Sequence, residues 1–109
     1  MDFILYCLDK PDGADARRKM RPDHLEYIAQ RQHMFRYGGP LIDQEGRVKG
    51  SLMIISAKDR AELERHMKGD PFFGADLFGS VSIWSSRQVI PETVEGALGM
   101  EMHQAREIA

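Results

Sequence analysis

The sequence predicts one α+β domain in which four β-strands form an antiparallel sheet and two helices cover one of its faces. Three observations carry that reading. Compact apolar segments rich in β-compatible side chains recur along the chain, at residues 3–8, 52–55 and 81–85. Stretches with apolar residues at three- and four-residue steps lie between them. The length of 109 residues suits a single hydrophobic core.

The first strand is Phe3-Ile4-Leu5-Tyr6-Cys7-Leu8, and the polar stretch 9–19, with Pro11 and Gly13, reads as a long connection. Arg21-Pro22-Asp23 then opens a helix expected over residues 22–36, since proline and an acid both favour a first helical turn. Leu25, Ile28 and Ala29, continuing through residues 32–35, give its apolar stripe, and Glu26, Gln30 and Arg31 its polar face. Gly38-Gly39 stops it.

Residues 39–43 and 47–56, separated by Gln44-Glu45-Gly46, read as a β-hairpin. Ser56-Ala57-Lys58-Asp59 has the spacing of a capping box, and Ala61, Leu63, Glu64 and Met67 continue a second helix that Gly69 ends. After Asp70-Pro71-Phe72-Phe73, a short turn or helical piece through residues 75–78 leads to Val81-Ser82-Ile83-Trp84-Ser85, whose alternation marks a last strand. The order is β-α-β-β-α-β, the ferredoxin-like pattern.

Along the first strand Phe3, Leu5 and Cys7 point one way and Ile4, Tyr6 and Leu8 the other, so neither face of the sheet is polar. The helices cover one face. A second copy related by a two-fold axis is the expected cover for the other, because a self-complementary patch closes on itself. The domain is placed at residues 1–90. The tail 91–109 carries Val94, Leu98, Met100, Met102 and Ile108 among charges, and reads as a docked helix, an oligomer contact or a frayed end.

With 15 basic and 17 acidic side chains and a formal charge of −2, the chain has no basic excess to attract nucleic acid. Its apolar runs fall far short of the roughly 20 residues that cross a bilayer. No secretory leader is recognised at Met1-Asp2-Phe3, and the single Cys7 has no partner for a disulfide, so a reducing cytoplasm is the expected compartment.

His24 is the first candidate for chemistry, since imidazole is the side chain whose ordinary pKa suits proton transfer near neutrality. In a first helical turn the dipole would keep it neutral, whereas a nearby carboxylate would act the other way. Asp70, on a loop fixed by Pro71, is the candidate carboxylate to orient one ring nitrogen while the other meets substrate. An acid before proline also commonly serves a turn.

The remaining titratable residues read structurally. His33 and His66 lie late in the expected helices and His103 in the tail, and none combines with Cys, Asp or Glu in a metal-binding spacing, so neither a metal nor a cofactor is expected. Residues 59–66 read as a solvated helix face. Cys7 reads as a small core residue rather than a nucleophile. Tyr6 and Trp84 read as pocket walls or as ordinary sheet packing.

Asp9-Lys10, Arg21-Pro22-Asp23-His24-Leu25, Gly39-Pro40-Leu41, Gly50-Ser51-Leu52 and Asp70-Pro71-Phe72, in that order, resemble the pattern of the YCII-related family over roughly residues 3–90. The resemblance implies a dimeric α+β barrel with a histidine–aspartate pair in a cleft, roles that fall here on His24 and Asp70. It also draws Arg21, Ser51 and Asp9 toward the cleft as substrate-binding candidates, Arg21 for an anionic group and Ser51 for a hydrogen bond. Pairing of Arg21 with Asp23, strand-end bonding by Ser51 and turn capping by Asp9 are the structural alternatives. The family includes a dehydrochlorinase of a chlorinated hydroxyhydroquinone, but membership supplies no substrate. Two readings follow: a cofactor-independent enzyme eliminating or isomerising a small, cyclic or aromatic metabolite, or a non-catalytic module that binds a small ligand or a partner.

Overall fold

The computed structural model describes residues 1–74 and 76–109. Four strands, β1 (Asp2–Asp9), β2 (Phe35–Ile42), β3 (Val48–Ser56) and β4 (Phe78–Ser86), form one antiparallel sheet in the order β2-β3-β1-β4. Helices α1 (Ala14–Ala29), α2 (Arg60–Gly69) and the short α3 (Pro71–Gly74) accompany the sheet, and α4 (Ala97–Ile108) follows it. The α+β class, the sheet and the ferredoxin-like order expected from the sequence are those observed.

The core lies between the sheet and the helices. Phe3, Leu5 and Cys7 of β1 meet Met53 and Ile55 of β3 on one face, and Ala57 and Leu63 complete the cluster. The opposite face stays open: Tyr6, Leu8, Tyr37 and Trp84 are all exposed there. No described helix is long and apolar enough to cross a membrane.

The first helix is misplaced in the sequence reading. It begins eight residues earlier than expected, at Ala14, and ends at Ala29, with Pro22 inside it. Proline lacks the N–H that would bond the Arg18 carbonyl, which is why Pro22 reads as a start. His24 therefore stands deep in α1, and the first-turn dipole argument does not apply to it. Residues 32–34 form a 3-10 turn that holds His33, and residue 35 already belongs to β2. Leu25 and Ala29, assigned to the buried stripe, are exposed.

The second helix is capped at Asp59, three residues later than the Ser56 start that the sequence reading gave it. The Asp59 carboxylate accepts from the Glu62 N–H at 2.9 Å, and Glu62 Oε1 accepts from the Lys58 N–H at 3.4 Å. His66 is buried rather than part of a solvated face. The helical piece after Asp70 is α3, earlier than residues 75–78; of that range, residue 75 lies outside the described residues and 78 opens β4. In the tail, α4 has no buried residue, and Arg87 pairs with its Glu101.

Candidate functional site

The inward side of α1 is unusual in being polar. Arg17, Arg21, His24 and Ile28 recur at three- and four-residue steps and so share a helix face, and with Leu25 they form one wall of a cavity of about 330 Å³. Gly38, Gly39 and Pro40 of β2, Val48 and Ser51 of β3 and Phe72 of α3 line the rest.

His24 and Asp70 meet here. His24 Nδ1 lies 2.7 Å from Asp70 Oδ1, and both residues are buried, Asp70 to 1 % exposure. Asp70 owes its position to the junction it occupies. It closes α2 in an extended conformation, as a residue before proline prefers, and Pro71 starts α3. The same Oδ1 accepts the Phe72 N–H at 3.0 Å, so the carboxylate caps α3 while it faces the imidazole.

Two contacts seat this junction on α1. The Tyr27 hydroxyl donates to the His66 carbonyl at 2.8 Å. Gly69 then passes so close to that ring that a Cβ would stand 2.4 Å from the hydroxyl oxygen. Glycine is thus what lets the end of α2 approach α1 closely enough for Asp70 to reach His24.

The His24 ring stacks on Phe72, with centroids 3.8 Å apart and planes within 6°. Nδ1 faces a carboxylate, so it carries a proton, and Nε2 remains as the nitrogen able to accept one. The arrangement can take up a proton at Nε2 and hold the resulting imidazolium against Asp70.

Arg17 is a site residue that the sequence reading passed over. Its Nε and Nη2 donate to the two oxygens of Asp9, each at 2.8 Å, and Nη2 also donates to Ser51 Oγ at 3.0 Å. Its guanidinium carbon lies 4.9 Å from the Phe72 ring centroid. Asp9 and Ser51 are thus drawn together by Arg17, and Ser51 also lines the cavity. Arg21 lines the cavity as well, and no ion pair joins it to Asp23. The signal for Arg17 was its spacing from Arg21 and His24, visible only once the helix is extended back through Pro22.

Two buried groups behind the pair bear on its electrostatics. Burial, reinforced by the Asp70 charge, pushes the Cys7 thiol up to about 12, so it is no thiolate near neutrality. His66, one helical turn before Asp70, packs against Tyr27 and Phe35 with neither ring nitrogen bonded. Burial lowers its pKa and so favours a neutral ring, against the opposing pull of the Asp70 carboxylate. Among the described residues, no group of three His, Cys, Asp or Glu side chains could hold a metal ion.

Solved structures share this architecture. One is 5-chloro-2-hydroxyhydroquinone dehydrochlorinase (TftG) from Burkholderia phenoliruptrix, in complex with 2,5-dihydroxybenzoquinone. It is 25% identical, with a TM-score of 0.75, over 81% of this chain and 95% of that one. Another is PA3566 from Pseudomonas aeruginosa, 20% identical with a TM-score of 0.52 over 80% of this chain and 91% of that one, a likeness of fold alone. No curated protein sequence gives a significant match. The profile of the YCII-related domain matches residues 1–87, and the chain belongs to the YCII-related family.

Proposed function

We propose that the chain is a cofactor-independent enzyme that moves a proton on a small, cyclic or aromatic metabolite, in an elimination or an isomerisation. The observation that carries this reading is the 2.7 Å approach of His24 to Asp70 beside a cavity of single-ring size. His24 Nε2 takes a proton from substrate, and Asp70 orients the ring and offsets the imidazolium charge. In an isomerisation the same proton returns to another atom of the substrate. In an elimination it leaves with the departing group. One positioned imidazole supplies roughly 10²–10⁴-fold of such a rate. Ser51 offers a hydroxyl to the ligand, and Asp9 acts through Arg17, which it fixes. The structural likeness to a dehydrochlorinase of an aromatic hydroquinone supports this class of substrate.

The test is a screen of lyase and isomerase substrates against wild type and His24→Ala, with thermal melts to establish that both proteins fold. Turnover confined to the wild type is the expected result, and equal turnover by both proteins would sink the assignment. Saturable binding with no product from any substrate would instead favour a binding module.

The open face of the sheet gives the reading its quaternary form. Tyr6, Leu8, Tyr37 and Trp84 form an aromatic and aliphatic surface on the face that no helix covers. A homodimer packed sheet to sheet would bury it.

A further inference from the structure

Two guanidinium groups on α1, those of Arg17 and Arg21, line the cavity, and one of them is answered within the protein. Arg17 is held by both oxygens of Asp9. Arg21 is different. It lines the cavity on the same helix face, yet its guanidinium has no acidic partner and no hydrogen bond among the described residues.

We infer that the ligand of this cavity carries an anionic oxygen, a carboxylate or an ionised ring hydroxyl, which Arg21 binds. The inference rests on the proposed proton-transfer reading only in taking this cavity as the substrate site. Arg21 precedes His24 by three residues, so the two stand one helical turn apart, with about 5–6 Å between Cβ atoms. A single six-membered ring bridges that interval. Its anionic group would sit on the Arg21 fork and its reacting position at His24, with Leu25, Ile28 and Pro40 against the apolar part. Arg17 cannot take this role as readily. Its Nε and Nη2 are engaged and its charge is offset at 2.8 Å, so it serves as a fixed polar wall. Arg21 is exposed, so placing it there costs the fold little, and the energy of meeting an anion remains available to the ligand.

The test compares the binding of two probe pairs by NMR titration of amide resonances. Benzoate against benzamide reads a carboxylate, and 4-nitrophenol above and below its own ionisation reads a ring oxyanion. Wild type is expected to bind at least one anion about tenfold more tightly than its neutral counterpart, with shifts centred on Arg21 and Ser51. Arg21→Gln should bring that ratio to near unity without moving the melting temperature, and Arg21→Lys should keep part of it. Equal binding of charged and neutral probes by wild type, a preference that survives Arg21→Gln, or no saturable binding of any probe would overturn the inference. His24→Asn separates it from the reaction: that variant should keep the anion preference, whether or not His24 proves necessary for turnover.

Discussion

His24 Nδ1 and Asp70 Oδ1 lie 2.7 Å apart although 46 positions separate the two residues in the chain. The carboxylate fixes the tautomer, so the proton resides on Nδ1 and Nε2 is the basic atom. Asp70→Asn keeps the shape but removes the charge, and its side chain can present either an oxygen or an NH2 to the ring. In long-range nitrogen–proton NMR spectra, wild-type His24 should show the Nδ1–H tautomer and Asp70→Asn a mixture. On a substrate that the wild type turns over, the rate should fall by about 10²–10⁴-fold. An unchanged tautomer together with an unchanged rate would remove Asp70 from the mechanism.

Arg17 and Asp9 form a different kind of pair, two-pronged and nearly dry, with side-chain exposures of 10% and 5%. Breaking such a pair strands a charge in the interior, whereas replacing both members by apolar residues removes the problem with the pair. Arg17→Ala is expected to lower stability to urea by about 3–5 kcal/mol, and Arg17→Met with Asp9→Leu by much less. Equal losses in the single and the double variant would show that packing, not charge, is what Arg17 contributes.

These two pairs also explain what could be read from the chain alone. Strand β1, the hairpin and β4 announce themselves because apolar and β-branched residues gather in short runs bounded by Gly, Pro and Asp. Helix α1 hides because its cavity-facing positions hold Arg17, Arg21 and His24, so the apolar periodicity that marks a helix is missing until Leu25. Pro22 compounds this by imitating a first turn. The error propagates to the site: with residues 9–19 taken for a loop, Arg17 cannot be seen to share a face with Arg21 and His24. The encounter of His24 with Asp70 depends on Gly69 passing Tyr27 at close range, a long-range contact that no local pattern encodes.

The open sheet face makes the last prediction. Trp84 is the chain's one tryptophan, it is 67% exposed, and it pairs across the strands with Ile4 on the uncovered side. Tyr6 stands on the same face of β1. If a second copy covers them, the indole becomes buried at the centre of an aromatic contact, the kind of position that dominates interface energies. Light scattering should then give twice the chain mass for wild type, with blue-shifted tryptophan emission. Tyr6→Glu should give a monomer with red-shifted emission, because a carboxylate buried against its own symmetry mate has no counter-charge. A control in the tail, Ile108→Glu on α4, where the side chain is exposed, should leave the mass unchanged if the sheet face alone makes the dimer. A wild-type monomer at working concentrations would remove the sheet-to-sheet assembly, and loss of the dimer only in the α4 variant would move the contact to the tail.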